Sequence, residues 1–198
     1  MSEHYYTKQP TVEHDHHQTE EVLRGYKLVF GTDAGVFSKK GVDYGSKLLI
    51  ETMKFDRSAR VLDVGCGYGP IGITAAKLCP DGHVTMIDIN ERAVELCAEN
   101  ARKNGVFHVS VMQSDLFEKV KGHQFDVILT NPPIRAGKET VHRIFSEAYE
   151  CLTQGGSLWV VIQKKQGAPS AKAKLESLYS EVEEVSRDKG YWILKATK

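Results

Sequence analysis

The segment Thr130-Asn131-Pro132-Pro133-Ile134 follows directly on an apolar run at 125–129. Proline has no N–H and pushes the residue before it into extended backbone. A strand ending in Asn-Pro-Pro therefore becomes a stiff turn rich in hydrogen-bond acceptors, with the Asn131 side-chain oxygen beside main chain that lacks donors. Such a turn suits a flat ligand that carries an amino group. Asn-Pro is also an ordinary turn starter after a strand, and the motif alone leaves both readings open.

A second motif bears on the first. Val61-Leu62-Asp63-Val64-Gly65-Cys66-Gly67-Tyr68-Gly69-Pro70-Ile71-Gly72 reads as a strand, a glycine loop and the start of a helix. Glycines at 65, 67 and 69 let the chain turn sharply and let a ligand approach the main chain closely. The N–H groups at the helix start would face that ligand. Dinucleotide-binding proteins use a similar loop. Here the spacing is Gly-x-Gly-x-Gly, with Asp63 two residues before it. A pyrophosphate would not welcome that carboxylate and an ammonium group would, which favours S-adenosylmethionine over NAD as cofactor. Asp88 ends the next strand, 23 residues after Gly65. A carboxylate there can accept both hydroxyls of a ribose; the alternative is a cap for the helix at Asn90-Glu91. Asp115, in Gln113-Ser114-Asp115-Leu116, would accept an adenine amino group while Leu116 or Ile89 packs on the ring, or else it caps a helix.

The elements that must position these groups alternate. Residues 22–30 read as a strand, 31–35 as a turn, and 36–38 as a segment that pairs back to form a hairpin. Asp43 is placed to N-cap a helix at 44–53. Strands follow at 59–64, 83–88, 107–112, 125–130 and 157–162. Helices fall at 70–78, 91–104, 141–152 and 171–179, the first with Pro70 in its opening turn and the second closed by Gly105. Two strands, 182–186 and 191–197, finish the chain around Asp188-Lys189-Gly190. This order implies an α/β fold: a parallel sheet with helices on both faces and one reversed strand at its end.

Composition narrows the class. A chain of 198 residues fits one domain with a short extension. Lys plus Arg (26) equals Asp plus Glu (26), which excludes a generally basic nucleic-acid coat but not a local basic face. Cys66, Cys79, Cys97 and Cys151 form no Cys-x-x-Cys pair, so buried free thiols in a reducing cytosol are expected. The N-terminus shows no charged-then-apolar leader, and no apolar run approaches the roughly 20 residues of a membrane span. The chain is therefore expected to be cytoplasmic, with no membrane partner. Glu13-His14-Asp15-His16-His17 has metal-ligand chemistry, yet in a polar tail it reads as solvated, and no metal is assigned.

The segment 61–72, Asp88, Asp115 and Asn131-Pro132-Pro133, in that order, resemble the class I S-adenosylmethionine-dependent methyltransferases over roughly residues 40–198. The resemblance implies a Rossmann-like fold with a seven-stranded, mostly parallel sheet and a reversed last strand. It divides the chain into an N-terminal β extension (1–40) and a methyltransferase domain (41–198). It implies that Asp63, Gly65, Cys66, Gly67, Gly69, Asp88, Ile89, Asp115, Leu116 and Asn131 surround the cofactor. Asn-Pro-Pro points to enzymes that methylate planar amino nitrogens: adenine N6, cytosine N4, guanine N2, glutamine N5. Upstream, Asp33-Ala34-Gly35-Val36-Phe37-Ser38 and Val42-Asp43-Tyr44-Gly45-Ser46-Lys47-Leu48-Leu49 are similar to the catalytic half of the small-subunit ribosomal RNA guanine-N2 methyltransferases of the C type. That likeness implies that Phe37, Ser38, Asp43 and Gly45 border the cofactor's methionine end and the substrate mouth.

Two departures from that family stand out. The additional N-terminal methyltransferase-like domain of its two-domain members is not in this sequence. Many amino-methyltransferases also place Tyr or Phe after the second proline, where the ring stacks on a flipped base; here Ile134 stands, followed by Arg135. Ile134 can pack on a base, and Arg135 can stack or contact phosphate.

The implied chemistry needs alignment more than acid–base power. The Asn131 oxygen and the Pro132 carbonyl, in the turn closed by Pro133, would accept the two N–H bonds of the amino group and stabilise its developing charge. Phosphate contacts would come from Arg135 and Lys138 beside the turn, and from Lys39-Lys40 and Lys164-Lys165, each otherwise a solvated surface charge. The expected partner is ribosomal RNA or the small subunit, with guanine N2 of 16S ribosomal RNA as the target and the protein a monomer or weak homodimer. The alternatives are a glutamine N5 methyltransferase of release-factor type and an inactive cofactor-binding scaffold; Asp63 and Asn-Pro-Pro disfavour an NAD-dependent oxidoreductase.

Overall fold

Strands that are apolar on both faces need helices on both sides of their sheet, and the computed structural model, which describes residues 5–198, has that arrangement. The elements are β1 (His17–Leu23), β2 (Tyr26–Thr32), α1 (Tyr44–Thr52), β3 (Arg60–Val64), α2 (Pro70–Leu78), β4 (His83–Asp88), α3 (Glu91–Lys103), β5 (Val109–Gln113), β6 (Phe125–Thr130), α4 (Lys138–Cys151), β7 (Leu152–Gln163), α5 (Ala168–Leu178), β8 (Glu181–Asp188) and β9 (Tyr191–Thr197). Residues 1–4 of the expected N-terminal extension lie outside the described residues.

Seven strands form one sheet in the order β5-β4-β3-β6-β7-β9-β8. The strands from β5 to β7 pair in parallel. β9 runs antiparallel between β7 and β8, so the last strand is the reversed one. The pleat sorts side chains by face. Val61, Met86, Leu129 and Trp159 join the core under α1, α2 and α3. Leu62, Ile87, Ile128 and Val160 join the core under α4 and α5. Chain order reverses between β3 and β6, and in such sheets the crevice outside the strand ends is where ligands bind. Register aligns those ends: Val64 lies opposite Ile87 on one side and Thr130 on the other.

The N-terminal hairpin differs from the expected one. A single strand at 22–30 was expected to pair with 36–38. Instead β1 and β2 pair with each other, Leu23 opposite Tyr26. Arg24 and Gly25 form the turn at φ +52° and +82°, the backbone of a two-residue hairpin loop. The apparent run at 22–30 thus contained a turn whose first residue is an arginine. β2 packs against α3 through two asparagines one helical turn apart. Asn100 and Asn104 each accept from and donate to the main chain of β2, at Gly31 and Val29 respectively (2.7–2.9 Å). Side-chain amides thereby occupy a strand edge that would otherwise be open.

The His-rich tail is solvated, as expected, and is also held in place. His14 Nδ1 donates to Asp33 Oδ2 (2.5 Å), and the N–H groups of Asp15 and Ala34 donate to Oδ1 (2.6 and 2.7 Å). Burial pushes the Asp33 carboxyl up, but these hydrogen bonds outweigh it and hold the group below its ordinary value. β7 begins at Leu152, five residues before its expected start, because it continues through Gly155-Gly156 with an irregular pairing to β6. All four cysteines are free and buried. Among the described residues no helix is long and apolar enough to cross a membrane.

Candidate active site

At the carboxyl ends of β3, β4 and β6 lies a cavity of about 260 Å³. Its floor is the glycine loop after β3. Gly67 has φ +55°, and no atom would obstruct a Cβ there, so conformation is what calls for glycine. Gly72 is needed for approach: a Cβ would come within 2.4 Å of Met86 Sδ, so α2 sits directly on β4.

Most of the glycine loop's N–H groups are occupied within the protein. Gly65 and Cys66 donate to the Ile87 carbonyl (2.9 and 3.0 Å). Gly67 donates to Asp88 Oδ2 (2.8 Å) and Gly72 to Asp63 Oδ2 (2.9 Å). A pyrophosphate site needs such amides free. The loop is therefore braced against β4, and its fit is to a ligand without phosphate.

The two acidic strand residues have different surroundings. Asp63 is fully buried and does not line the cavity. The pleat points it beneath α2, where Oδ1 has no hydrogen-bond partner. Burial raises its carboxyl to about 7, the Gly72 N–H lowers it, and nearby Asp88 raises it further. Asp88 lines the cavity. Oδ1 accepts from the Asn90 N–H (2.9 Å) and Oδ2 from Gly67. Burial raises Asp88 to about 6 against those hydrogen bonds. Each ionised carboxylate oxygen accepts more than one bond, so Asp88 retains capacity toward the cavity. Ile89, Asp115 and Leu116 line the same side.

Across the cavity, Asn131 is oriented by α1. Its Nδ2 donates to Ser46 Oγ (3.1 Å) and Asp43 Oδ2 (3.3 Å). A carboxylate only accepts, so the amide nitrogen must be the end facing α1, and the carbonyl oxygen is the end left for a ligand. Asp43 is the expected N-cap and also accepts from the Ser46 N–H (3.1 Å). Thr130 Oγ1 donates to the Val64 carbonyl (3.0 Å), tying the turn to β3. The Pro133 carbonyl accepts from the Ala136 N–H (2.9 Å) in a short helical turn, Ile134–Ala136.

The structure brings together most of the residues singled out from the sequence. Phe37, Ser38, Asp43, Gly65, Cys66, Gly67, Asn131, Pro132 and Pro133 line the cavity together with Asp88. Asp63, Gly69, Ile134, Arg135 and Lys138 are not among its lining residues. The helical turn lays Ile134, half-buried, against the core under α4 and α5. Lys39 is paired with Asp15 (2.9 Å). Gly45 lies close under the Tyr191 ring, which a Cβ would meet at 2.8 Å.

Sequence reasoning missed Tyr5, Tyr6, Ser46 and Arg143, all of which line the cavity. Two adjacent tyrosines in a polar tail were a signal, but nothing in their spacing says where they dock. Also missed was His142 on α4, beside the expected Lys138. His142 is held below its ordinary value by burial and by the neighbouring charges of Lys138 and Lys174. Cys66 offers no nucleophile: its contact with Cys97 and its burial hold the thiol well above its ordinary value. The cavity thus combines a carboxylate at the end of β4, apolar walls and an acceptor turn.

Comparison with known proteins agrees with this chemistry. The methyltransferase small domain family matches residues 27–195. Uncharacterized protein YbxB of Bacillus subtilis (strain 168) is 54% identical over 200 residues, covering all of both chains. Ribosomal RNA small subunit methyltransferase C of Vibrio cholerae serotype O1 is 37% identical over 142 residues, which is 70% of this chain and 41% of that protein. The chain thus matches less than half the length of that relative. Among solved structures, the T. thermophilus 16S rRNA N2 methyltransferase RsmC, in complex with AdoMet and guanosine, superposes with a TM-score of 0.85 at 24% identity. That superposition covers 96% of this chain and 52% of RsmC.

Proposed function

The chain belongs to the methyltransferase small domain family and is an S-adenosylmethionine-dependent methyltransferase, and we propose that it methylates an exocyclic amino nitrogen of ribosomal RNA, guanine N2 of the small subunit. The observation that carries this reading is the fixed orientation of Asn131. Its oxygen and the Pro132 carbonyl form an acceptor pair for the two N–H bonds of an aromatic amino group.

The site's own residues fit the cofactor. Asp88 accepts the ribose hydroxyls, Asp115 the adenine amino group, and Ile89 and Leu116 pack against the ring. The glycine loop, with most of its N–H groups occupied, offers close approach without an anion nest. When bound, the cofactor supplies a methyl group already activated by its sulfonium. Asn131 and Pro132 hold the acceptor nitrogen so that its lone pair is presented for attack and its growing positive charge meets two oxygens. The cavity excludes water from that encounter. Arg135 and Lys138, with the positive charge around His142, contact RNA phosphates outside the turn.

The supporting comparison is the similarity to ribosomal RNA methyltransferase C relatives. The test is transfer of a tritiated methyl group to ribosomal RNA, isolated small subunits and release factors, followed by nucleoside analysis. Label in N2-methylguanosine is the expected result. Label confined to protein glutamine would replace this reading with the release-factor one.

A further inference from the structure

An acceptor turn grips the edge of a planar substrate and leaves its faces to other residues. Ile134 is half-buried against the α4–α5 core and is not among the residues that line the cavity. The aromatic side chains lining the cavity are Tyr5, Tyr6, Phe37 and Tyr68. Tyr68 is core: it is 2% exposed and its ring packs on Phe30 at 5.7 Å between centroids. Phe37 keeps 40% exposure, and its ring lies 5.0 Å from that of Tyr5, tilted by 47°. Tyr6 meets Tyr5 edge-on at 5.8 Å.

The surroundings of Tyr5 locate it between the two halves of the cavity. Burial pushes its hydroxyl up, Arg135 pulls it down, and Tyr6, Asp43 and Asp88 add to the rise. Arg135 is two residues past Pro133, Asp43 orients Asn131, and Asp88 is the ribose carboxylate. The arm that carries Tyr5 is pinned to the start of α3 through main-chain carbonyls. Asn90 Nδ2 donates to the Tyr5 carbonyl (2.9 Å) and the Glu91 N–H to that of Lys8 (3.0 Å). The Arg92 guanidinium donates to the carbonyls of Pro10 and Val12 (3.4 and 3.0 Å). These bonds set the arm's path independently of its side chains and leave the Tyr5 ring in the cavity.

We propose that Tyr5, with Phe37 beside it, is the aromatic wall on which the face of the acceptor base stacks while Asn131 and Pro132 hold its edge. The inference rests on the base-methylating reading of the site. Aromatic rings bind bases through their faces. A glutamine side chain offers only the small face of one amide, so the wall favours the larger face of a nucleobase. It assigns to the N-terminal arm the role that an aromatic residue at position 134 would otherwise fill.

Tyr5→Leu keeps apolar bulk and removes the π-face, whereas Tyr5→Phe keeps the face and removes the hydroxyl. Both are compared with wild type for kcat/KM on ribosomal RNA and for Kd of S-adenosylmethionine by calorimetry. Tyr5→Leu is expected to lower kcat/KM about tenfold or more, with the cofactor Kd changed less than about twofold. Tyr5→Phe restores most of what leucine loses. Should Tyr5→Leu fail to fold, Phe37→Leu is read in the same two assays with the same expectation. Wild-type kcat/KM in the leucine variant overturns the wall and leaves the RNA reading standing. A loss confined to cofactor binding overturns it too, making the arm a cofactor strap. Wild-type enzyme that labels only protein glutamine overturns both readings.

Discussion

The two sides of the cavity are held by different kinds of bond. Around Asp63 and Asp88, main-chain N–H groups of one continuous β3–α2–β4 stretch do the holding. Around Asn131, side chains do it, and they come from far along the chain: Asp43 is 88 positions away and Ser46 is 85. A backbone-built side depends on strand register and changes little when one side chain is replaced. A side-chain-built side depends on each partner, and altering one re-aims the group that meets the substrate. Cofactor affinity and methyl transfer should therefore separate cleanly under mutation.

The largest effect is expected at Asn131. Asn131→Ala removes one of the two acceptors proposed for the amino group, a loss that elsewhere costs about 10²–10³ in turnover for a single transition-state hydrogen-bonding group. Single-turnover rates on the true substrate should fall by that order while calorimetric cofactor affinity stays within about threefold. If affinity falls in parallel, the two sides are one unit and the contrast between them is wrong. Asp88→Ala is the reciprocal test. It removes the cavity-facing carboxylate and two bonds, one bracing the loop at Gly67 and one to the Asn90 N–H, and hydrogen bonds to charged groups contribute about 1.5–3 kcal/mol each. Cofactor Kd should weaken by about 10²-fold, with much of the turnover recovered at saturating cofactor.

The contrast also decides what a reader of the sequence could see. The glycine loop, Asp88 and the acceptor turn stand at strand ends, where local patterns of apolar residues, glycine and proline announce them. Asp63 was legible as an acidic residue near the loop. Its concealment follows from the pleat: residues 61 and 63 share the α2 face, where Gly72 lets the helix close over the carboxylate. Ile134 was expected at the base because it follows Pro133; the helical turn at Ile134–Ala136 sets it half-buried against the core, outside the cavity lining. Ser46 and Tyr5 were not legible, because contacts over 85 or more positions leave no local trace. The hairpin was misplaced because a turn at Arg24-Gly25 lacks the Asn-Gly or Asp-Gly signature that such turns usually carry.

A smaller, pH-dependent effect belongs to the backbone-built side alone. Asp88 is raised to about 6, and in the proposed role the form that accepts ribose hydroxyls is the ionised one. Above that value the site is ready; below it a proton must be displaced. Cofactor Kd should therefore be flat from about pH 7 to 8 and weaken about tenfold by pH 5, and Asp88→Asn should abolish the dependence. The stability of the unliganded protein has the opposite sign. Carboxyls raised in the folded state, Asp63 to about 7 and Asp88 to about 6 from 3.8, hold protons that the unfolded chain releases. Their contribution is fully present below about pH 4 and is lost as pH rises to about 7. Denaturant midpoints measured across that window for wild type and Asp63→Asn should differ in slope, the variant being flatter.

The smallest expected effect tests the side-chain half most finely. Ser46 and Asp43 both accept from Asn131 Nδ2, but only Asp43 also caps α1, accepting from the Ser46 N–H. Changing Asp43 would lose a cap, about 1 kcal/mol of stability, and the aim of Asn131 together. Ser46→Ala leaves the backbone donor, the cap and helix propensity in place and deletes one of the two acceptors that orient the amide. The amide then has one partner against rotation, and its oxygen spends part of its time off the acceptor geometry. Turnover should drop about three- to tenfold with unchanged cofactor Kd and unchanged thermal midpoint. Ser46→Thr, which keeps the hydroxyl, should recover part of the loss. A Ser46→Ala enzyme that turns over normally would mean that Asp43 alone aims Asn131, and that the acceptor side is less dependent on its side-chain partners than its hydrogen bonds imply.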